Sequence, residues 1–375
     1  MGYSEAKYKK IKQSIKTNIL KGLITTNEKI SSESQLMKEF KVSRHTVRLA
    51  IGELVNEGWL YREQGAGTFC ADRRESNLSS INENNKNIAI VTTFISEYIF
   101  PTIIRGAESY LSEHGYNVSI FNTNNQYNQE EKILTQILSS NYAGVIIEPT
   151  HSASANPNLK YYLNMEKEKI PYVMINAMYE ELEPVSFSLD DVKGGFLQTK
   201  HLIDLGHRDI VCIYKTDDAQ GQNRLKGYIK AHRECNLRLN PKNIITYQTE
   251  NEHSKPIDDL KELLKVKADC PTAVVCYNDQ LVLRLLDFVR EEGIKVPEHL
   301  SFVGYDDSLL AELSEVKLTS VIHPKSELGR DAARAIIRLI QKNNQIDPGE
   351  DLSKLYEPQL KIRHSTAPID KDLAI

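Results

Sequence analysis

The stretch Ser43-Arg44-His45-Thr46-Val47-Arg48 lies between two segments whose apolar residues have helical spacing. Residues 33–40 before it predict a short helix, and residues 49–55 after it continue a second helix that Ser43 can cap. Arg44 and Arg48 are four residues apart, so both project from one face at the start of the second helix. A helix N-terminus also favours phosphate. This arrangement, two helices joined by a tight turn, is the one that presents side chains to the DNA major groove.

A glycine-rich hairpin is predicted directly after the second helix. Gly58 is placed to end the helix, and residues 59–62 and 68–71 are short runs that favour β-structure. The turn Gln64-Gly65-Ala66-Gly67 joins them. A small helical domain with solvated arginines is the alternative, but it does not explain the succession of capped helix, arginine pair and hairpin. We therefore predict a small α/β winged helix-turn-helix domain over residues 1–71.

Residues 5–71 resemble the winged helix-turn-helix domain of the GntR family of bacterial regulators. The similarity runs from Tyr8-Lys9-Lys10-Ile11 through Ser32-Glu33-Ser34-Gln35-Leu36 to Gln64-Gly65-Ala66-Gly67-Thr68-Phe69. Ser31 and Lys41 stand where the family usually has proline and glycine. The resemblance implies that double-stranded DNA is contacted by Lys7, Glu33, Ser43, Arg44, His45, Thr46, Arg48, Gln64 and Gly65. Of these, Gln64 and Gly65 are expected at the tip of the wing, in the minor groove.

Charge is distributed unevenly along the 375 residues, a length that fits two or three domains. Residues 1–75 hold 14 Lys and Arg against 9 Asp and Glu, whereas the remainder holds 33 against 42. A basic N-terminal module on an acidic body is typical of a nucleic-acid reader that carries a second domain. The five cysteines have no metal-ligand spacing, so we predict no metal site. With neither an export signal nor a long apolar run in the sequence, we expect a cytoplasmic, nucleoid-associated bacterial protein without membrane contact.

From residue 87 onward, short apolar runs alternate with helical patterns. The runs comprise residues 88–91, 117–121, 144–148, 172–175, 210–213, 273–276 and 300–303. Continuous apolar strands separated by helices predict a parallel sheet covered on both faces. Residues 72–86 are polar and are expected to form a linker, which leaves residues 87–375 as the second domain.

Polar side chains follow several of these strands. Glu148, Asn176 and Asn278 each come after an apolar run, Asp306 follows Gly304-Tyr305, and Arg224 is expected to open a helix after residues 217–220. Because ligands of parallel sheets gather at the carboxyl ends of the strands, these groups suit a ligand whose hydroxyls donate and accept hydrogen bonds. For each residue taken singly, a helix cap or a turn is the alternative role.

Residues 87–365 resemble the LacI/GalR family and periplasmic sugar-binding proteins, through Tyr277-Asn278-Asp279, residues 293–298, Val303-Gly304-Tyr305-Asp306-Asp307 and residues 318–321. The resemblance implies a two-lobed, periplasmic-binding-protein-like α/β domain with parallel sheets. It also implies closure about a hinge, which we place near Asn278 and the segment after Asp306. The residues it implies for binding a small sugar effector are Tyr98, Phe100, Glu148, Asn176, Arg224, Asn278, Asp306 and His323.

A GntR-type head on a LacI/GalR-type body resembles the arabinose-responsive repressors of Gram-positive bacteria, which implies L-arabinose as the effector. We expect a homodimer that binds operator DNA, is released by the sugar, controls sugar uptake and catabolism genes, and needs no cofactor. An exported sugar-binding protein would carry a signal peptide and no DNA-binding head. A pyridoxal-dependent enzyme would need a Schiff-base lysine with a phosphate cradle. Lys193-Gly194-Gly195, the one comparable cluster, lies within a sugar-binding motif, so we predict no enzymatic activity.

Overall fold

The computed structural model describes residues 7–72, 86–95, 98–265, 270–344 and 351–369. Over these ranges the chain forms a small N-terminal head and a body of two lobes, each built on a six-stranded sheet. The predicted fold class, a winged helix-turn-helix domain plus a two-lobed body with parallel sheets, is confirmed. Most of the predicted linker, residues 73–85, lies outside the described residues. No helix in the described ranges is long and apolar enough to cross a membrane.

The head contains three helices and a hairpin: α1 (Lys7–Leu20), α2 (Glu33–Phe40), α3 (Arg44–Asn56), β1 (Leu60–Glu63) and β2 (Gly67–Cys70). Its core packs Ile11 of α1 and Leu36 of α2 against Val47 and Leu54 of α3. The Ser43 side chain accepts a hydrogen bond from the Thr46 N–H, so Ser43 caps α3 as predicted.

Lys41 keeps the turn between α2 and α3 in the form that glycine would give it. Its φ of 50° is in the left-handed region, where a side chain costs about 1–2 kcal/mol. The Lys41 N–H donates to the Met37 carbonyl and satisfies the end of α2. Lys41 therefore adopts the left-handed conformation that the family's usual glycine favours at this position.

The first lobe has the strand order β13-β7-β6-β5-β3-β4, with all neighbours parallel. Its strands are β3 (Asn87–Thr92), β4 (Asn117–Asn122), β5 (Gly144–Ile147), β6 (Tyr172–Ile175), β7 (Ser186–Leu189) and β13 (Lys354–Tyr356). Side chains alternate across the sheet. Ile88 and Ile90 pack on α4 (Phe100–Glu113) and α12 (Lys325–Gln341). Ala89 and Val91 face α5 (Tyr127–Ser139) and α6 (Leu159–Lys167).

The second lobe has the order β14-β12-β11-β10-β8-β9, parallel except for β14 against β12. Its strands are β8 (Ile210–Lys215), β9 (Ile244–Tyr247), β10 (Ala273–Cys276), β11 (Ser301–Asp306), β12 (Thr319–Ile322) and β14 (Gln359–Lys361). Helices α7 (Asp191–Asp204) and α8 (Ala219–Glu234) cover one face. Helices α9 (Lys255–Leu264), α10 (Asp279–Glu291) and α11 (Leu309–Leu313) cover the other.

Within the described residues the chain passes between the lobes at residues 189–191, 322–325 and 356–359. The predicted hinge positions are therefore wrong. Asn278 caps α10, and the segment after Asp306 continues into α11, so both remain inside the second lobe. A hinge can lie only where the chain passes from one lobe to the other. The sequence at a strand end does not show whether the next element belongs to the same lobe.

The head touches the first lobe at the end of α1. Lys21 Nζ lies 2.9 Å from Glu131 Oε1 on α5. The Asn164 side chain on α6 donates a hydrogen bond to the Leu20 carbonyl. The head is thus in direct contact with the two helices that cover one face of the first lobe's sheet.

Candidate functional site

A cavity of about 130 Å³ lies between the two lobes, and strand ends of both sheets border it. This is the position at which parallel sheets bind ligands. The structure brings to this one cavity all eight residues that the sequence singled out for the effector: Tyr98, Phe100, Glu148, Asn176, Arg224, Asn278, Asp306 and His323.

Arg224 is anchored from several sides. Its Nε donates to Asp191 Oδ1 at 2.8 Å and its Nη1 to the Tyr277 carbonyl at 2.6 Å. The guanidinium carbon lies 3.5 Å from the centre of the Tyr305 ring. Burial raises the pKa of Asp191 to about 6, and the nearby Arg224 cation opposes that rise. The residue lies in the second turn of α8, not at the helix start expected from the sequence.

Two glycines allow α7 and α8 to approach closely enough for this ion pair. A β-carbon on Gly195 would lie 2.1 Å from the Arg224 carbonyl oxygen. One on Gly227 would lie 2.1 Å from the Val192 carbonyl oxygen. Because neither distance is sterically possible, the two helices can pack at this separation only with glycine at both positions.

Three buried polar atoms of cavity residues have no hydrogen-bond partner within the described part of the chain: Asn176 Oδ1, Asp306 Oδ1 and His323 Nδ1. An unsatisfied buried polar atom costs about 1–3 kcal/mol, so three together make this cavity a candidate site for a polar ligand. Burial lowers the pKa of His323 to about 4, which keeps the imidazole neutral at pH 7.

Glu148 and Asn278 border the cavity but already have protein partners. Glu148 accepts hydrogen bonds from Thr93 and from the Asn176 amide. Asn278 Oδ1 accepts from the Leu281 N–H at 2.9 Å and caps α10. For Asn278, the alternative role of a helix cap is therefore present in the structure.

Tyr98 and Phe100 form an aromatic part of the cavity wall. The Tyr98 hydroxyl donates to the Tyr305 carbonyl at 2.8 Å and accepts from the Asp279 N–H at 3.0 Å, so it connects the two lobes. Its φ of 65° is unusual for a side chain of this size. Phe100 begins α4, and its ring centre is 6.1 Å from that of Phe94.

Sequence reasoning missed many of the residues that border the cavity. Lys215 ends a buried strand, and a charged residue at such a position could have indicated a site residue. Its Nζ lies 3.5 Å from Asp218 Oδ2. Ser152 and Asn125 connect the lobes, the first by accepting from the Ala219 N–H at 2.9 Å. The residues missed are Thr93, Phe94, Ile99, Asn125, Pro149, Ser152, Leu189, Asp191, Lys215, Asp218, Gln220, Tyr247, Glu252, Tyr277, Gln280, Leu281 and Arg284.

The residues singled out for DNA contact are grouped on the head. One concave surface is bordered by Lys7, Ser43, Arg44 and Thr46. Lys38 and Lys41 border it as well, and the sequence did not indicate them. His45 is exposed on α3, and Gln64 and Gly65 are exposed in the turn between β1 and β2.

Glu33 lies between the two arginines of α3. Its carboxylate is 3.0 Å from Arg48 Nε and 3.7 Å from Arg44 Nε. Both guanidinium groups are exposed, and an exposed ion pair contributes only about 0–1 kcal/mol. The arginines are thus oriented by Glu33 without being withdrawn from solvent.

Comparison with known proteins connects the two parts. Residues 7–70 match the gntR family of bacterial regulatory proteins, and residues 199–366 match a periplasmic binding protein-like domain. The chain is 57% identical to the arabinose metabolism transcriptional repressor of Halalkalibacterium halodurans, over 97% of each chain. The repressor of the same name from Geobacillus stearothermophilus is 44% identical, over 97% of this chain and 98% of its own. The chain belongs to the family of arabinose metabolism transcriptional repressors.

Membership of this family confirms the predicted combination of a GntR-type head with a LacI/GalR-type body, and it makes the chain a transcriptional repressor. The body fold is shared with solved regulators. The transcription regulator CcpA of Lactococcus lactis superposes with a TM-score of 0.66 at 24% identity, over 76% of this chain and 100% of CcpA.

Proposed function

We propose that this repressor is a homodimer that binds double-stranded operator DNA through its head and leaves it when L-arabinose fills the interlobe cavity. The observation that carries the proposal is the set of buried atoms beside Arg224 that make no hydrogen bond within the described residues, in a chain whose head exposes Arg44 and Arg48. The proposed division is a DNA-binding domain at 1–71, a linker at 72–86 and an effector-binding and dimerisation domain at 87–375. The regulated genes are those of sugar uptake and catabolism, and the protein acts on DNA in the bacterial cytoplasm.

The size and charge of the cavity support one uncharged sugar ring as the ligand. A cavity of about 150 Å³ is known to hold one benzene molecule, so about 130 Å³ suits a single small ring better than an oligosaccharide. Carboxylates outnumber cations around it, which disfavours a sugar phosphate: Glu148, Asp191, Asp218, Glu252 and Asp306 against Lys215, Arg224 and Arg284. L-arabinose is chosen because both close relatives are named as repressors of arabinose metabolism.

The proposed ligand contacts follow from the buried atoms that make no hydrogen bond within the described residues; of these, Asp306 Oδ1 lies 3.8 Å from Arg224 Nη2. Asp306 and Asn176 accept from sugar hydroxyls, Arg224 donates, and neutral His323 forms a further hydrogen bond. Tyr98 and Phe100 supply the apolar surface on which a sugar ring packs. Each of these groups works by binding, so the proposal contains no chemical step and no cofactor besides the sugar.

Exposed leucines support dimerisation of the body. One five-residue helix carries Leu309, Leu310 and Leu313, and the exposed fractions of these residues are 68%, 43% and 71%. A cluster of exposed apolar side chains marks an interaction site, whereas isolated ones need no explanation. We assign α11 to the dimer interface. Two heads held in this way read two operator half-sites related by two-fold symmetry.

Release requires that L-arabinose bind the DNA-incompetent state more tightly than the DNA-competent state. Closure of the lobes on the sugar moves the first lobe relative to the second at residues 189–191, 322–325 and 356–359. The head touches the first lobe through Lys21 and Glu131, so this motion changes the spacing of the two heads in the dimer.

The test begins with a DNA site selected by the wild-type chain from a random duplex pool. Arg44→Ala and Arg48→Ala should each weaken its binding by about 5- to 150-fold, because an arginine paired with guanine contributes about 1–3 kcal/mol. Arg105→Ala, an exposed arginine on α4, is the matched control and should bind the DNA normally. Fluorescence anisotropy at fixed salt gives the affinities. Unchanged DNA affinity of both α3 variants would contradict the proposed interface.

A further inference from the structure

We infer that Glu148 acts on the sugar through Asn176: its carboxylate turns the Asn176 amide so that Oδ1 faces the cavity as a hydrogen-bond acceptor. This inference rests on the proposed function, since it takes the cavity as the sugar site. It makes Glu148 a positioning residue and Asn176 the residue that selects a donating hydroxyl.

The surroundings of Glu148 are complete without a ligand. Oε2 accepts from the Thr93 N–H at 2.9 Å and from Thr93 Oγ1 at 2.5 Å. Oε1 accepts from Asn176 Nδ2 at 2.8 Å. An ionised carboxylate can only accept hydrogen bonds, and a backbone N–H can only donate. Burial raises the pKa of Glu148, whereas the hydrogen bonds from Thr93 and Asn176 oppose that rise and favour the ionised carboxylate. The Thr93 N–H determines which side must be oxygen.

The orientation of the Asn176 amide follows from this. An asparagine side chain has one donating end and one accepting end, and the hydrogen-bond network decides which way each points. Because Nδ2 must face the Glu148 carboxylate, Oδ1 points the other way, and it is buried without a hydrogen-bond partner within the described ranges.

The backbone fixes Asn176 as well. Its φ is 64°, a left-handed conformation that asparagine adopts more readily than most residues. Its N–H donates to the Phe187 carbonyl at 2.8 Å, which ties the end of β6 to β7. The backbone therefore fixes where the Asn176 side chain begins. The hydrogen bond to Glu148 then fixes the rotation of its amide group.

The selected ligand must bring a hydroxyl that donates at this point. A free sugar hydroxyl can donate a hydrogen bond to Asn176 Oδ1. An O-methyl group or a deoxy position cannot, because neither carries an O–H. A buried site built to hydrogen-bond a hydroxyl discriminates strongly against an analogue without it, because its own polar atom is then left unpaired.

Glu148→Gln tests the assignment because it preserves shape and reverses one polarity. The Thr93 N–H still needs an oxygen, so the new amide nitrogen faces Asn176. The Asn176 amide must then turn to accept from it and present Nδ2 to the cavity. The sugar meets a donor in place of an acceptor, and we expect the Kd for L-arabinose to rise about 10- to 100-fold.

Combining Glu148→Gln with Asn176→Asp should restore binding. A carboxylate at position 176 accepts from the glutamine amide with one oxygen and shows the cavity the other. We expect the double variant to bind L-arabinose within about 5-fold of wild type. A role in packing alone predicts no loss of affinity in either variant, because both substitutions keep the side-chain shape and change only which atoms donate and accept.

The measurement is isothermal titration calorimetry of the full-length chains with L-arabinose, with melting temperatures as the check on folding. Should Glu148→Gln not fold, Asn176→Gly keeps the left-handed backbone and removes the acceptor, and it should weaken binding by a similar factor. Wild-type affinity in Glu148→Gln, or in Asn176→Gly where that variant is used, overturns the inference, as does a double variant no better than the single one. A wild-type chain that binds no L-arabinose overturns the proposed function itself, and the inference with it.

Discussion

Replacing Asp306 by asparagine should remove the charged acceptor that the cavity offers to a sugar hydroxyl. Asp306 Oδ1 is buried and makes no hydrogen bond to the described residues. The φ of 91° at this position is one that asparagine tolerates, so the backbone should not change. A hydrogen bond to a charged group contributes about 1.5–3 kcal/mol, and its loss should raise the Kd for L-arabinose about 10- to 150-fold.

Calorimetric titration of Asp306→Asn with L-arabinose gives this ratio, and Asp307→Asn is the matched control. Asp307 is the next residue, but its carboxylate pairs with Arg363 at 2.5 Å, and Asp307 is not among the residues that line the cavity. The control should lose some stability and keep its sugar affinity. If Asp306→Asn binds L-arabinose within twofold of wild type, the sugar does not contact Asp306 and the reasoning is refuted.

Two further predictions concern stability. Arg224→Ala leaves the buried Asp191 carboxylate without its partner and should lower the free energy of unfolding by about 3–5 kcal/mol in urea denaturation; a loss below about 1 kcal/mol would argue against the anchor. His323 has a folded pKa of about 4 against 6.5 when exposed, so its contribution to stability should fall by up to about 3 kcal/mol as the pH drops from 6.5 to 4. His323→Gln should lose less over that range. The quantity to compare is the free energy of unfolding of wild type minus that of His323→Gln at each pH. The subtraction is needed because the pKa values of buried Asp191 and Asp279 are raised to about 6 and 7, so both carboxyls stabilise the two proteins as the pH falls. Equal pH slopes in the two proteins would contradict the burial of His323 in neutral form.

The head could be predicted almost element by element because its signals are local. Ser43 sits one residue before α3 and caps it, and Gly58 follows the last turn with a φ of 72°. The arginine spacing places Arg44 and Arg48 on one face, where the structure has them beside Glu33. What the sequence could not show is that Lys38 and Lys41 extend the same concave surface, because that depends on how α2 packs on α3.

The cavity could be predicted in part, because strand ends of parallel sheets meet at one edge. Asn176 and Asp306 were located in that way. The partner of Arg224 was not, since Asp191 reaches it only because two glycines bring α7 and α8 together. The hinge was misplaced for a related reason. The three-residue strands β13 and β14 have no readable pattern, yet they belong to different lobes and one crossing lies between them.

Release of DNA by the sugar is the central claim, and one titration tests it directly. A fluorescently labelled operator, selected as described and bound by the wild-type chain, is titrated with L-arabinose while anisotropy is followed. Anisotropy should fall to the value of free DNA, and Asp306→Asn should need about 10- to 150-fold more sugar for the same release. Anisotropy that stays constant, or DNA binding that tightens as the sugar is added, would contradict the account.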